Sequence, residues 1–308
     1  MTTQFKRSAG GLIISNNKVL ILFSKKRNQY LFPKGTIENN ETPRQTALRE
    51  VLEESGYHTK ILKSLGSIHY SFEENGNKIR KTVYHYLLKL VDDQEIPKPN
   101  LQQNEDFRNL WLNYREAYDK LSHLQNKEIL ANVLGYLSPY KKINVSREIN
   151  LVSLYPKDAS KLFQLTDRNR EYLGRWLPWV DSVSKTADSR EFILKSIIDR
   201  SMGEIYPFGI SYKNRLVGHI SIMNLDKKNE SPDIGYWIDQ DYSSRGIMSQ
   251  SVKVLTEFAH DTLKINTITI HAEPDNIGSN MVAKKNGYTL IGQTTKDNRQ
   301  LNRWQKTN

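Results

Sequence analysis

The sequence predicts two unlike α/β domains, of mixed α/β (α+β) class, joined near residue 140. Three observations carry that expectation. The chain has 308 residues, roughly two domains' worth at about 150 residues each. Stretches of alternating apolar character interleave with stretches of helical spacing in both halves, and the halves share no repeat. A polar, proline-broken segment, Ser138-Pro139-Tyr140-Lys141-Lys142, separates them, so the domains are placed at 1–140 and 141–308.

In the first half, strands are expected at Ser8–Ile14 and Lys18–Phe23, joined by a hairpin turn at Asn16-Asn17. A helix follows over Pro43–Ser55, and Gly56 closes it because glycine accepts the left-handed conformation that ends helices. Strands at Ser67–Phe72 and Thr82–Leu90 flank a polar turn at Glu73–Lys78, and a helix near Lys127–Tyr136 ends the unit. The second half opens with a strand at Glu148–Leu154 and helices over Lys157–Thr166, Arg170–Leu173 and Ser189–Asp199. Strands follow at Tyr206–Tyr212, Arg215–Asn224 and Asp233–Ile238, then a helix at Met248–Thr262, a strand at Thr267–Ala272, a helix at Gly278–Lys285 and a short strand at Tyr288–Ile291.

Composition excludes several function classes. With no cysteine there is no disulfide framework, thiol nucleophile, cysteine-ligated zinc or cysteine-held iron–sulfur cluster. The amino terminus lacks the apolar stretch of a signal peptide, and no apolar run is long enough to span a bilayer, so a cytoplasmic location with no membrane partner is expected. Residues 1–150 hold 23 basic against 16 acidic side chains and the remainder 22 against 18. This evenly spread positive field favours anionic partners such as nucleotides, coenzymes or RNA surfaces, with no DNA partner expected.

The stretch from Gly35 through Glu41 to Arg49-Glu50-Val51-Leu52-Glu53-Glu54-Ser55-Gly56-Tyr57 sets four acidic residues and one arginine at fixed spacings. On a helix Glu50, Glu53 and Glu54 share a face at i, i+3 and i+4, while Leu48, Val51 and Leu52 point toward a core. Three clustered carboxylates repel one another unless hard cations neutralise them. Mg²⁺ or Mn²⁺ suits such oxygens, and the chemistry implied is metal-assisted attack of water on a phosphoanhydride.

At these residues the chain resembles the Nudix hydrolases over about residues 5–137, with Tyr57 replacing the usual aliphatic residue. Within that family it is similar to the asymmetric diadenosine tetraphosphate hydrolases through Ser8-Ala9-Gly10, Phe32-Pro33-Lys34-Gly35, Lys81-Thr82-Val83, and Glu105 with Trp111. The resemblance implies an α/β/α sandwich and a nucleotide substrate. It assigns Glu50, Glu53, Glu54 and Glu105 to the metal, with Glu50, Glu54, Glu105 and Arg49 in catalysis, Arg49 by orienting Glu41. Lys34, Gly35 and Lys81 would contact phosphate, and Tyr84 and Tyr86 would offer a base-stacking surface. Thr36 and His85 depart from that subfamily, standing where His and Tyr are common.

In the second half, Asp233–Ile238 reads as a strand and Ser243-Ser244-Arg245-Gly246-Ile247-Met248 as the turn into a helix, where backbone amides and the helix terminus can hold a pyrophosphate. With Asp167–Leu173, Trp176-Leu177-Pro178-Trp179, Asn276-x-x-Ser279-Asn280 and Asn286-Gly287-Tyr288, residues 145–292 resemble the Rim-type GNAT acetyltransferases, a mixed-sheet fold. The resemblance implies acetyl-CoA as co-substrate, with its pyrophosphate over Ser244, Arg245, Gly246, Ile247 and Met248 and its pantetheine arm along Tyr236, Trp237 and Ile238. Asn276 joins the coenzyme site and Trp176 the acceptor cleft. Ser279 is the candidate proton donor to the leaving thiolate, or else the cap of the following helix; Asp233 or Glu273 is the candidate base. The acceptor would be an amine, on a protein N-terminus or an aminoacyl-nucleotide. Ser243 and Ser244 replace the usual Gln or Arg and Gly, and the tail after Gly292 is expected to lack a last long strand. Loss of catalysis, leaving a coenzyme sensor or dimerisation module, is the competing expectation for this half.

Overall fold

The computed structural model describes residues 3–98, 107–225 and 231–308. The chain divides into two compact units, Met1–Tyr136 and Leu137–Asn308.

In the first unit, β1 (Thr3–Ser15), β2 (Lys18–Ser24), β3 (Gln29–Leu31) and β4 (Lys34–Thr36) precede α1 (Pro43–Ser55). Then come β5 (Tyr57–Glu74), β6 (Asn77–Glu95), β7 (Phe107–Asn113), α2 (Tyr114–Lys120) and α3 (Leu124–Leu137). The sheet runs β3-β2-β1-β6-β5, with β4 on β1 and β7 on β2; β1 and β6 are parallel, the other pairs antiparallel. Asn16-Asn17 and Asn75-Gly76 both have positive φ, as two-residue turns matching strand twist require. The β5–β6 hairpin is therefore far longer than the expected strands, and its turn is only Asn75-Gly76. The extra length is mostly exposed and polar, so no apolar run marked it.

The start of α1 follows from Thr42-Pro43-x-Gln45. The Gln45 N–H donates to Thr42 Oγ1 (3.3 Å), the Thr42 N–H donates to Gln45 Oε1 (2.9 Å), and proline occupies a position that needs no donor. Gly56 ends the helix at φ 75°. Ala47 and Val51 pack against Ala9, Ile13, Leu20 and Leu88, which seats the helix on the sheet and presents its glutamates at one edge.

In the second unit, β8 (Lys142–Asn144), β9 (Ile149–Val152), α4 (Ala159–Arg168), α5 (Arg170–Gly174) and α6 (Thr186–Ser201) lead to β10 (Tyr206–Tyr212), β11 (Arg215–Met223) and β12 (Asp233–Ile238). They are followed by α7 (Ile247–Asp261), β13 (Thr267–Ala272), α8 (Ile277–Lys285), β14 (Thr289–Lys296) and β15 (Arg299–Thr307). Strand order is β14-β15-β13-β12-β11-β10-β9-β8, with only β12–β13 parallel. Val252, Leu255 and Ala259 of α7 pack on Ile220, Ile222, Ile268 and Ile270 of the sheet.

The tail corrects an expectation. After Gly292 the chain continues β14, turns at Asp297-Asn298 and inserts β15 between β14 and β13. The segment Arg299–Thr307 has almost no apolar residues, so its strand character comes from ladder pairing on both sides.

Candidate active sites

In the first unit, Arg49 organises the acidic face. Its Nε and Nη2 donate to the two oxygens of Glu41 at 2.7 and 2.8 Å, and its Nη1 donates to Glu50 and Glu53 at 3.0 Å each. The guanidinium holds the Glu41 carboxyl down to about 2, whereas burial pushes Glu50 up despite the same arginine. The Glu54 carboxylate accepts the Lys34 backbone N–H at 2.8 Å. A Cβ on Gly35 would lie 2.0 Å from the Glu50 carboxyl group, so only glycine lets that carboxylate lie against β4.

Glu50 and Glu54 thus meet at the backbone of Lys34-Gly35, while Glu53 points to Arg49. Among the described residues no three His, Asp or Glu side chains converge as a preformed metal cage. The donors still fit a hard cation: Mg²⁺ is held through one or two carboxylates plus substrate phosphates and water. Glu105, the expected fourth carboxylate, lies outside the described residues.

Strand pairing separates the side chains of Lys34 and Lys81 from the glutamates, whereas Gly35, the third expected phosphate contact, lies against Glu50. Lys34, Gly10 and His85 form one row across β4, β1 and β6, while Gly35, Ala9 and Tyr84 form the next, on the opposite face. Lys81 shares the face of His85, and burial together with Lys34, Lys6 and Arg27 pushes its ammonium down. Burial, then the Lys34 charge, lowers His85 to about 4. Lys34 and Lys81 therefore lie on the face opposite Glu50. Tyr86 is corrected as a base-stacking residue: it is 6% exposed and packs in the core with Val51. Tyr84 is half-buried, with the Arg7 guanidinium 5.5 Å from its ring centre. Tyr57 is buried against Trp111 and accepts the indole N–H at 3.2 Å, which accounts for an aromatic residue at this position.

In the second unit, β12 and β13 pair at Asp233 and Thr269. Beyond that pair lies a cavity of about 390 Å³, lined by Tyr236, Trp237 and Ile238 on one side and His271, Ala272 and Glu273 on the other. Ser244, Met248, Asn276, Ser279 and Trp176 line it too. The Tyr236 hydroxyl is 3.0 Å from Ser279 Oγ, and burial pushes its phenol strongly up. Asn276, rather than Ser279, caps α8: its Oδ1 accepts the Ser279 N–H at 3.1 Å.

A family model described as the NUDIX domain matches residues 4–133, and one described as the acetyltransferase (GNAT) domain matches residues 148–289. The chain belongs to both families. The putative ribosomal N-acetyltransferase YdaF of Bacillus subtilis is 32% identical over 48% of this chain and 82% of its own length. Nudix hydrolase 17, mitochondrial, of Arabidopsis thaliana is 32% identical over 44% of this chain and 71% of its own. Among solved structures, the microcin C7 self-immunity acetyltransferase MccE, in complex with acetyl-CoA and AMP, is 28% identical with a TM-score of 0.52, covering 56% of this chain and 98% of that one. The protein is an enzyme that unites a Nudix hydrolase and a GNAT acetyltransferase. No helix among the described residues is long and apolar enough to cross a membrane.

The turn of the acetyltransferase domain keeps the backbone that glycine ordinarily allows. Ser244 takes φ 59° and Gly246 φ 74°, and Gly246 precedes the first turn of α7 with no side-chain cap, leaving amides there for an anion. Ser243 is engaged otherwise, its hydroxyl 3.2 Å from the Tyr172 hydroxyl. Arg245, Gly246 and Ile247 do not line the cavity, and Ile247 is a core residue at 2% exposure. Asp233 is corrected as a direct base. Its carboxylate accepts from Asn224 Nδ2 at 2.8 Å and lies 3.2 Å from His271 Nδ1, away from the cavity wall. Glu273 is paired to Arg299, which also donates to the Trp176 carbonyl at 2.8 Å. Sequence reasoning passed over Tyr172, His271 and Arg299; the one local signal was a histidine on the polar side of the alternation Thr267-Ile268-Thr269-Ile270-His271.

Proposed function

We propose that the protein is bifunctional: its Nudix domain hydrolyses a nucleoside polyphosphate, with diadenosine tetraphosphate the preferred substrate, and its GNAT domain acetylates an α-amino group from acetyl-CoA. The observation that carries the acetyl-transfer half is the Tyr236–Ser279 hydroxyl pair inside the cavity beyond the β12–β13 pair. With acetyl-CoA in that opening, the hydroxyls protonate the departing thiolate, while the free amides around Gly246 receive the pyrophosphate. An α-amino group, with a pKa near about 8, is a less demanding acceptor than a lysine near about 10.4. Retention of left-handed geometry at Ser244 favours coenzyme binding over a purely structural role for this domain.

In the Nudix domain, Glu50 and Glu54 would hold Mg²⁺ or Mn²⁺, which supplies Lewis-acid polarisation of phosphate and a hydroxide-like water. Arg49 orients Glu41, Glu50 and Glu53 and holds Glu41 ionised, and Gly35 makes room for Glu50. The placement of Lys34 and Lys81 on the face opposite Glu50 supports a long substrate. A polyphosphate held at Glu50 and Glu54 would need to extend past β4 to meet Lys34 and Lys81 on the opposite face.

The test is a mass-spectrometric product screen with Mg²⁺, a nucleotide panel, acetyl-CoA, a ribosomal-protein N-terminal peptide and a non-hydrolysable aminoacyl-adenosine. ATP plus AMP from diadenosine tetraphosphate and a gain of one acetyl group on an α-amine are expected. Turnover of only short nucleoside diphosphate derivatives refutes the substrate assignment, and acetyl-CoA unchanged with every amine refutes the transferase assignment.

A further inference from the structure

We propose that His271 is the proton acceptor of acetyl transfer and that Asp233 is the residue that positions it, a reading that rests on the acetyltransferase function above. Asp233 and Thr269 face one another where β12 and β13 pair, and His271 lies two residues further along β13, on the same side. The imidazole therefore stands at the base of the cavity, half-buried, with Nδ1 3.2 Å from Asp233 Oδ1. The second oxygen of Asp233 accepts from Asn224 Nδ2 at 2.8 Å, so the 8%-exposed carboxylate is held from both sides. Asn224 is itself locked in left-handed backbone at φ 61°.

This arrangement selects a tautomer. A carboxylate at Nδ1 keeps the proton there and leaves Nε2 as the acceptor. No other carboxylate on the wall is as well disposed: Glu273 is consumed by Arg299, and Asp297 sits in the β14–β15 turn beside Lys296. The proton donor lies on the other side, because Tyr236 is an odd number of residues from Asp233 and its hydroxyl meets Ser279 of α8. Base and acid thus flank the opening from opposite faces of β12.

The protons balance in this geometry. The acceptor ammonium gives one proton to His271 Nε2, and its nitrogen then bonds to the thioester carbon. When the C–S bond breaks, the electron pair leaves on sulfur and the nitrogen's second surplus proton reaches the thiolate through the Ser279 and Tyr236 hydroxyls. Amide and free thiol result, and His271 returns its proton to solvent.

The experiment compares wild type, His271→Gln and Asp233→Asn with acetyl-CoA and the ribosomal-protein N-terminal peptide, reading kcat/KM from pH 6 to 9.5 and acetyl-CoA affinity by calorimetry. For His271→Gln, kcat/KM at pH 7 is expected to fall about 100-fold or more, with the deficit shrinking toward pH 9 as the amine loses its proton unaided. Affinity for acetyl-CoA stays within a factor of about two. Asp233→Asn, which no longer fixes the imidazole tautomer, is expected to lower kcat by about ten-fold or more while KM and affinity for acetyl-CoA stay within a factor of about two, a split that simple loss of packing does not produce. Undiminished transfer by His271→Gln, or an equal deficit at every pH, overturns the proposal while leaving the transferase function standing. A wild-type protein that neither binds acetyl-CoA nor acetylates any amine overturns both, and retained acetyl-CoA binding in the variants shows that they fold.

Discussion

Arg49 grips Glu41 through two parallel hydrogen bonds of 2.7 and 2.8 Å, while its remaining nitrogen reaches Glu50 and Glu53. One side chain therefore ties Glu41, which precedes the helix, to two of the carboxylates that the helix period crowds together. Both partners are partly buried, with side-chain exposures of 25% and 19%. Arg49→Ala is expected to destabilise the Nudix domain by about 1–3 kcal/mol, the range for leaving a partly buried polar group unpaired. Arg49→Lys recovers less than half of that, because an ammonium cannot reproduce the fork. Denaturant titration of the three proteins checks the ranking; a lysine variant as stable as wild type would refute the role of the fork.

Glu54→Gln keeps an oxygen to accept the Lys34 N–H but removes the charge. Hydrolysis at saturating Mg²⁺ is expected to slow by about 3–4 kcal/mol of barrier, of the order seen on removing a principal charge-stabilising group, with folding unchanged. Single-turnover rates and thermal unfolding, measured together, separate the two effects.

Lys81 lies on the face opposite the glutamates, so its contribution should depend on substrate length. Lys81→Ala is expected to raise KM several-fold for diadenosine tetraphosphate and to leave a short nucleoside diphosphate derivative unaffected. Equal effects on both substrates would place Lys81 at the scissile phosphates instead.

Gly246 takes φ 74° and its amide opens α7, whereas the Ser243 hydroxyl meets Tyr172. Gly246→Val should therefore abolish acetyl-CoA binding, by strain in the left-handed region and by obstructing approach to the amides, while Ser243→Ala changes it less than about three-fold. Calorimetric titration with acetyl-CoA decides, and the reverse ranking would show that a side-chain hydroxyl carries the contact.

His219 is buried beside Phe192, and burial together with the Arg200 charge lowers its imidazole to about 4. Unfolded, it titrates near about 6.5, so between these values the unfolded chain binds more protons than the folded one. Stability from this group is complete above about pH 6.5 and is lost as pH falls toward 4. Trp176, Trp179, Trp237 and Trp304 all lie in the acetyltransferase domain and report its unfolding. The denaturation midpoint of that fluorescence should drop between pH 6.5 and 4.5, and His219→Leu should flatten the drop.

What the sequence alone determined is what neighbouring residues dictate. Thr42-Pro43-x-Gln45 and Gly56 delimit α1, the helix period places Glu50, Glu53 and Glu54 on one face, and Asn16-Asn17 makes a hairpin. Those spacings, with the order of strands and helices in the second half, suffice for the two families. Tertiary structure alone decided which groups meet. Strand register sends Lys34 and Glu50 to opposite faces although Lys34 adjoins Gly35, and it buries Tyr86 two residues from a half-exposed Tyr84. Ser279 finds Tyr236, and Asp233 finds His271, only because β12 lies beside β13 and α8 follows it. A polar segment such as Arg299–Thr307 becomes a strand when ladders on both sides satisfy its backbone. Local periodicity sets an element's hydrogen bonds from within, whereas sheet partners are chosen across the chain by burial and pairing, and that choice brings Tyr236, Ser279 and His271 to the same opening.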